Sequence, residues 1–268
     1  MYPPGHGVGQ WLLYTLLGII ADTLDAICTV IVKPKIPERS VLPSDVDHLS
    51  DEEFLELWKT APVLKAGVVR LTPGTVAKQS QDLGEDLPDS PEANALNLVF
   101  ARTTIPVPRV RRVIEHEWGF IIVMDYIEGP TLAQMWPTLS KWRKLFVAYT
   151  LRRYVRQLRR LKAPAGTPPG PLSTQPRICK SPIFGQVQSD RGPFASYAEL
   201  SAFFNQRHHM ALDNKDVPRD DPARKDLFDD SGPLVLTHQD LNLRNIIMDR
   251  DGRLWLIDFA WAGYYPVV

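Results

Sequence analysis

The segment 236–263 constrains the fold of this chain more than any other part, because it combines a turn signal with fixed polar positions. Apolar residues stand on both sides of the turn 249–252, whose Asp-Arg-Asp-Gly sequence is typical of a β-hairpin. Asn245 stands just before the first strand of this hairpin, and Asp258 follows the second. Because a hairpin returns the chain on itself, Asn245 and Asp258 are predicted to lie side by side at its open end, close to Asp240.

These polar residues have the chemistry that phosphoryl transfer requires. The reaction depends on positioning and charge neutralisation, so it needs oxygen ligands for Mg²⁺ and an acceptor for the proton of the attacking hydroxyl. Asn245 and Asp258 are predicted to bind the metal, and Asp240 is predicted to orient the nucleophile. The alternative is a loop in which His238, Asp240 and Asn245 only cap turns.

The same segment resembles the catalytic and metal-binding loops of the aminoglycoside phosphotransferase/choline kinase-like family, and it is most similar to the large fungal branch. Members are small-molecule kinases with a protein-kinase-like fold. The resemblance implies an α+β, two-lobe chain, with an N-lobe of antiparallel sheet plus helix over residues 46–127 and a mostly helical C-lobe over residues 128–268. Members continue further, so an end ten residues after Asp258 implies a C-lobe without its last helices.

Two upstream residues match the part of this family that holds the nucleotide phosphates. Residues 68–78 read as two short strands around a Thr-Pro-Gly turn. Ser90 as N-cap and Pro91 at the first helical position predict a helix with Glu92 in its first turn. The resemblance implies that Lys78 contacts the phosphates of ATP and that Glu92 holds it; a solvated surface charge is the alternative for each.

A continuous apolar strand, 119–124, is followed by Asp-Tyr-Ile-Glu-Gly and resembles the hinge between the two lobes. The resemblance implies that the carbonyl of Asp125 and the amide of Ile127 hydrogen-bond adenine. A buried strand entering a turn describes the same residues equally well. The prolines in 104–110 predict an extended connector before this strand.

The resemblance therefore implies an ATP- and Mg²⁺-dependent phosphotransferase that transfers the γ-phosphate to a hydroxyl of a small molecule. The alternative is a catalytically inactive nucleotide-binding or interaction protein of the same fold, a pseudokinase. The early end and the lack of a G-x-G-x-x-G favour the alternative; Lys65-Ala66-Gly67 is the sole candidate for a phosphate-covering loop. Gln239 stands where many relatives carry Gly, and its side chain is either harmless or crowds the acceptor.

The composition is that of one globular protein without a net electrostatic preference. The 31 basic and 31 acidic residues balance, so no overall charge favours binding of nucleic acid. Cys28 and Cys179 are too few for a disulfide framework or a zinc site, which is typical of a reducing compartment and predicts a cytoplasmic location. The sequence leaves the oligomeric state and the acceptor undetermined.

The amino-terminal region 1–45 contains an apolar run, residues 11–32, that is long enough to cross a bilayer. Asp22 and Asp25 lie near its middle, where each would cost about 2.5–3.5 kcal/mol in a membrane. Polar residues also recur in it at three- and four-residue spacing, as in an amphipathic helix. We favour a helix packed on the protein or on a partner, and membrane association through 11–32 is the alternative.

A long helix is predicted from the N-cap Ser140 to about Leu161. Its arginines indicate a basic solvated face rather than a nucleic-acid surface. The pattern predicts one apolar side, formed by Trp142, Leu145, Phe146, Tyr149, Tyr154, Val155, Leu158 and Leu161.

Overall fold

The protein contains a five-stranded antiparallel sheet followed by a mostly helical region. The computed structural model describes residues 15–16, 18–20, 23, 43–44, 46–65, 67–80, 88–116, 119–187 and 191–267. The sheet has the order β1-β2-β3-β5-β4. Its elements and the two helices that cover it are α1 (Asp51–Thr60), β1 (Val63–Lys65), β2 (Val68–Thr72), β3 (Thr75–Gln79), α2 (Pro91–Arg102), β4 (Val110–His116) and β5 (Gly119–Asp125).

The sheet is covered on both faces, which explains why β5 is apolar throughout. Side chains of a strand alternate between faces. Ile121 and Val123 pack with Phe54 of α1, whereas Ile122 and Met124 pack with residues of α2 on the other face. A strand buried on both faces shows a continuous apolar run instead of alternation.

The second region begins after β5 and contains the predicted hairpin. Three antiparallel strands pair in the order β6-β10-β7, and β8 pairs with β9 to form the hairpin. Its elements are α3 (Leu132–Met135), α4 (Lys141–Arg160), β6 (Gly170–Pro171), α5 (Tyr197–Asp213), β7 (Val235–Thr237), β8 (Ile246–Met248), β9 (Leu254–Leu256) and β10 (Gly263–Tyr265), with 3₁₀ turns at Pro182–Phe184, Pro222–Lys225 and Leu243–Asn245.

Helix α4 begins where predicted, since the side chain of Ser140 accepts a hydrogen bond from the amide of Arg143. The prediction of a single apolar side is wrong. Trp142, Leu145 and Phe146 are 81%, 52% and 61% exposed, and the buried residues of the helix are Val147, Tyr154 and Leu158. At 100° per residue the two sets lie roughly 150° apart, so the helix has two apolar faces and only one packs on the core.

Most of the apolar run 11–32 lies outside the described residues. The described positions 15–16, 18–20 and 23 are helical, and Leu16, Ile19 and Ile20 are about half exposed. Within the described part of the chain, no helix combines the length and the hydrophobicity needed to span a membrane. Whether the run packs on the protein stays a prediction.

The observed architecture confirms the predicted fold class: it is α+β, with an antiparallel sheet plus helices, consistent with a kinase-like two-lobe fold. One hydrophobic cluster contains residues from both regions, among them Val76 of β3, Leu96 of α2, Leu158 of α4 and Leu256 of β9. The lobe boundary near residue 127 stays a prediction, because this core is continuous across it.

Candidate active site

His238 attaches the loop after β7 to the hairpin. Its ring is 3% exposed and lies against the ring of Phe259, with 4.4 Å between the centroids. Nε2 donates to the carbonyl of Ile257 at 3.1 Å, and Nδ1 accepts from the amide of Asp240 at 3.3 Å. Both bonds require the neutral ring with its hydrogen on Nε2. Burial favours this form, since it lowers the pKa of His238 below its usual value.

The carboxylate of Asp240 is oriented by two side-chain amides. Asn242 donates to Oδ1 at 2.8 Å, and Asn245 donates to Oδ2 at 2.7 Å. The residue is only partly buried. A fixed carboxylate of this kind can accept a hydrogen bond from an attacking hydroxyl.

Asn245 and Asp258 lie at the open end of the hairpin, as predicted. The pairing of Ile246 with Leu256 and the bond from the Ile257 amide to the Asn245 carbonyl (3.0 Å) hold the two ends together. The side-chain nitrogen of Asn245 bonds to Asp240, while its Oδ1 accepts no hydrogen bond from the described residues. The binding of a metal by this oxygen stays a prediction.

Asp258 adopts a left-handed backbone conformation, with φ of +65°, which is uncommon for residues other than Gly, Asn and Asp. Burial opposes ionisation of its carboxyl group, but the charge and hydrogen bond of Lys78 outweigh burial and hold the pKa of Asp258 below its usual value. The carboxylate is thus charged at neutral pH, which is the form in which a carboxylate can bind Mg²⁺.

Lys78 of β3 joins the sheet to the hairpin. Its Nζ lies 2.8 Å from Oε1 of Glu92, which is on the first turn of α2, and 2.6 Å from Oδ1 of Asp258. Burial alone would favour the neutral amine, but the two carboxylates raise the pKa of Lys78 above its usual value. Glu92 is buried at 4% exposure, so its charge is balanced by Lys78 rather than by water.

The predicted hinge residues lie at the end of β5, apart from this cluster. The Asp125 carboxylate accepts from Nε of Arg111 at 2.7 Å and from the amide of Arg109 at 3.3 Å. Its side chain therefore fixes β5 to β4. The amide of Ile127 has no hydrogen-bond acceptor among the described residues. The adenine contacts of Asp125 and Ile127 stay predictions.

The donor set suits Mg²⁺ bound together with phosphates rather than a metal site made by protein alone. Among the described residues, no group of three His, Cys, Asp or Glu side chains converges. Mg²⁺ commonly takes one or two protein oxygens and completes its octahedron with waters and substrate phosphates. Asp258 and Asn245 Oδ1 are the two oxygens that would hold such a metal, and Lys78, which pairs with Asp258, would balance phosphate charge.

Comparison with known families decides what kind of protein this is. The family model described as the phosphotransferase enzyme family matches residues 68–268, which is 201 of the 268 residues. The chain belongs to the phosphotransferase enzyme family. No curated protein matches the chain. The match covers the part of this phosphotransferase that contains every predicted site residue, and it confirms the family that the motifs had indicated.

The structure of this phosphotransferase brings five of the predicted residues into two linked groups. Lys78 pairs with both Glu92 and Asp258, and Asp240 accepts a hydrogen bond from Asn245. The bond from the Ile257 amide to the Asn245 carbonyl connects the two groups through the hairpin backbone. Their catalytic, nucleotide-binding and metal-binding roles stay predictions.

Sequence reasoning missed two residues of this phosphotransferase that contact the predicted set. Asn242 donates a hydrogen bond to the carboxylate of Asp240. An Asn two residues after an Asp is too common in sequences to indicate a site residue. Lys65 lies with its Nζ 4.0 Å from Oδ2 of Asp258. It was noted only as part of a weak candidate for a phosphate-covering loop.

A cavity of about 230 Å³ lies away from these residues, between the start of α2 and the segment 167–176. Asp89 lines it and accepts hydrogen bonds from Ser173 and from the amide of Thr174, with Arg177 nearby. Because Asp89 is satisfied by these neighbours, we interpret it as a structural link between α2 and that segment.

Proposed function

We propose that this chain is an ATP- and Mg²⁺-dependent phosphotransferase that transfers the γ-phosphate to a hydroxyl group of a small molecule. Family membership supplies the reaction class. The observation that carries the proposal further is the arrangement of Lys78, Glu92 and Asp258 in one ion-paired group, joined by the hairpin to Asp240 and Asn245.

Each residue of the arrangement has a distinct proposed role. Bound Mg-ATP supplies the phosphoryl group and the metal charge. Asp258 and Asn245 hold the metal through their oxygens, and Lys78, kept in position by Glu92, balances phosphate charge. Asp240 accepts a hydrogen bond from the acceptor hydroxyl and aims its oxygen at the phosphoryl group.

A second candidate, an inactive nucleotide-binding or interaction protein, is favoured by two observations. Only residues 66 and 67 separate β1 from β2, which leaves no room for a long glycine-rich loop over the phosphates. Gln239, next to Asp240, has a φ of +63°, a left-handed conformation that glycine adopts at much lower cost. Its side-chain amide donates to the hydroxyl of Thr237 at 3.3 Å.

A transfer assay with matched variants distinguishes the two candidates. Labelled phosphate from ATP is followed onto a panel of aminoglycoside, choline-like, sugar and protein acceptors. Asp240→Asn should lower the transfer rate by about 10²–10⁴-fold, because it removes the proton acceptor, while ATP affinity stays nearly constant. Asp251→Asn is the control, since Asp251 lies in the exposed hairpin turn and its carboxylate contacts none of the site residues.

Transfer that needs Asp240 but not Asp251 would support the enzyme. Tight Mg-ATP binding without transfer to any acceptor in the panel would favour the inactive nucleotide-binding protein. Equal loss of ATP binding in Asp240→Asn and Asp258→Ala would show that the roles of the two aspartates have been assigned wrongly.

A further inference from the structure

The connection between β1 and β2 lies where kinase-like folds place the loop over the phosphates, and here it is very short. Lys65 pairs with Val68 across the two strands. Gly67 has a φ of +74°, and its carbonyl accepts a hydrogen bond from the amide of Gln79 at the end of β3 at 2.8 Å. The connection is therefore tied to β3, and it has few backbone amides to offer to a phosphate chain.

Lys65 extends from this connection toward the carboxylate that is proposed to bind metal. Its Nζ lies 4.0 Å from Oδ2 of Asp258, and Lys78 contacts the other oxygen, Oδ1, at 2.6 Å. Two ammonium groups from different strands thus flank one carboxylate. The Lys78 side chain is 18% exposed, whereas that of Lys65 is 57% exposed.

The contact between Lys65 and Asp258 contributes little to the stability of the fold. At 4.0 Å, with one partner more than half exposed, such a pair contributes next to nothing to stability. A half-exposed lysine on a flexible stem is instead suited to follow a phosphate group. Lysine binds phosphate as a point charge without requiring fixed geometry.

We propose that Lys65 is a phosphate-binding residue that contacts the terminal phosphates of the nucleotide and takes the place of the backbone amides of a glycine-rich loop. This inference rests on the proposed function, because it requires a nucleotide at Asp258. Lys65 approaches the phosphates from β1, on the side opposite Lys78, so that phosphates bound at Asp258 lie between two cations. The positive charge of Lys65 then stabilises the phosphates, as the backbone amide dipoles of a longer loop would.

The experiment measures the affinity of the full chain for Mg-ATP and for adenosine, which has no phosphate. The variants are Lys65→Met, Lys65→Arg and Lys59→Met. Lys59 is the matched control because its side chain is 59% exposed and carries the same charge, and among the described residues it pairs only with Glu56 of α1. Lys65→Met should weaken Mg-ATP binding about tenfold, as expected for the loss of one charge-assisted contact.

Adenosine affinity should be the same in all variants, and Lys65→Arg should keep most of the ATP affinity. The ATP affinity of the wild type should also fall more steeply with added salt than that of Lys65→Met. A purely structural role of Lys65 would instead lower the affinities for adenosine and ATP together.

Each contrary result has a separate meaning. Unchanged or tighter ATP binding by Lys65→Met would overturn the inference about Lys65 and leave the proposed function standing, as would equal weakening of ATP and adenosine. Failure of the wild type to bind ATP would overturn both.

Discussion

Lys78 is held between Glu92 and Asp258 in surroundings where burial alone would favour its neutral form. Glu92 is 4% exposed, so it depends on Lys78 for compensation of its charge. Removal of one partner of a buried pair leaves an uncompensated charge, which typically costs about 3–5 kcal/mol. The pair therefore links the proposed nucleotide chemistry to the stability of the fold.

We predict that Lys78→Met lowers the free energy of unfolding by about 3 kcal/mol, measured by urea denaturation. The double variant Lys78→Met/Glu92→Gln should recover part of this loss, because the orphaned charge is gone. The exposed pair Lys59–Glu56 provides the control, and its disruption should have almost no effect. Additive losses in the double variant would mean that the two residues do not depend on each other.

The pKa of His238 predicts a pH dependence of stability. Burial holds the pKa of His238 below its usual value of 6.5, so the ring takes up a second proton less readily in the folded chain than in the unfolded chain. The stabilisation is fully present above about pH 6.5 and is lost as the pH falls toward the depressed value. The difference in unfolding free energy between wild type and His238→Gln should therefore shrink between about pH 8 and pH 5. A difference that stays constant over this pH range would contradict the buried neutral ring.

At the scale of elements, α4 shows which parts of the fold the sequence could predict. Its start followed from Ser140, whose side chain caps the first turn. The face of the helix that packs on the core could not be predicted, because apolar residues occupy two faces and their periodicity does not show which one is buried. Leu158 is 3% exposed and Leu145 is 52% exposed, although both are leucines of one helix.

These two leucines make a matched test. Leu158→Ala should lower the free energy of unfolding by about 2–5 kcal/mol, because it leaves a cavity in the core. Leu145→Ala should change it by no more than about 0.5 kcal/mol. Chemical denaturation of both variants measures the two effects. Similar losses would mean that the Trp142 face of the helix is covered in solution.

The strands and the hairpin of the candidate site were predictable because their signals are local. Short apolar segments on either side of turn residues predicted β2, β3, β8 and β9, and the N-cap Ser90 predicted α2. The approach of Lys65 to Asp258 was not predictable, since it depends on how the connection between β1 and β2 is placed against the hairpin. Contacts between side chains distant in sequence require the tertiary structure.

At the scale of the whole molecule, the hairpin is fixed to both regions. The amide of Leu256 donates to the carbonyl of Pro106 at 2.9 Å, and the hydroxyl of Tyr154 on α4 donates to the carbonyl of Leu254 at 3.1 Å. Lys78 adds the contact with the sheet. The core is continuous across these contacts, so the two halves of the proposed site are held in a defined relation before any ligand binds.

The central claim, a Mg²⁺-dependent nucleotide site built around Asp258, is tested most directly by calorimetry of ATP binding to the purified chain. Titrations are compared with and without Mg²⁺, for the wild type, Asp258→Ala and the control Asp251→Asn. We predict that binding requires Mg²⁺, is lost or greatly weakened in Asp258→Ala and is unchanged in Asp251→Asn. A folded wild-type chain that binds no ATP, or binding that is indifferent to both Mg²⁺ and Asp258, would contradict the claim.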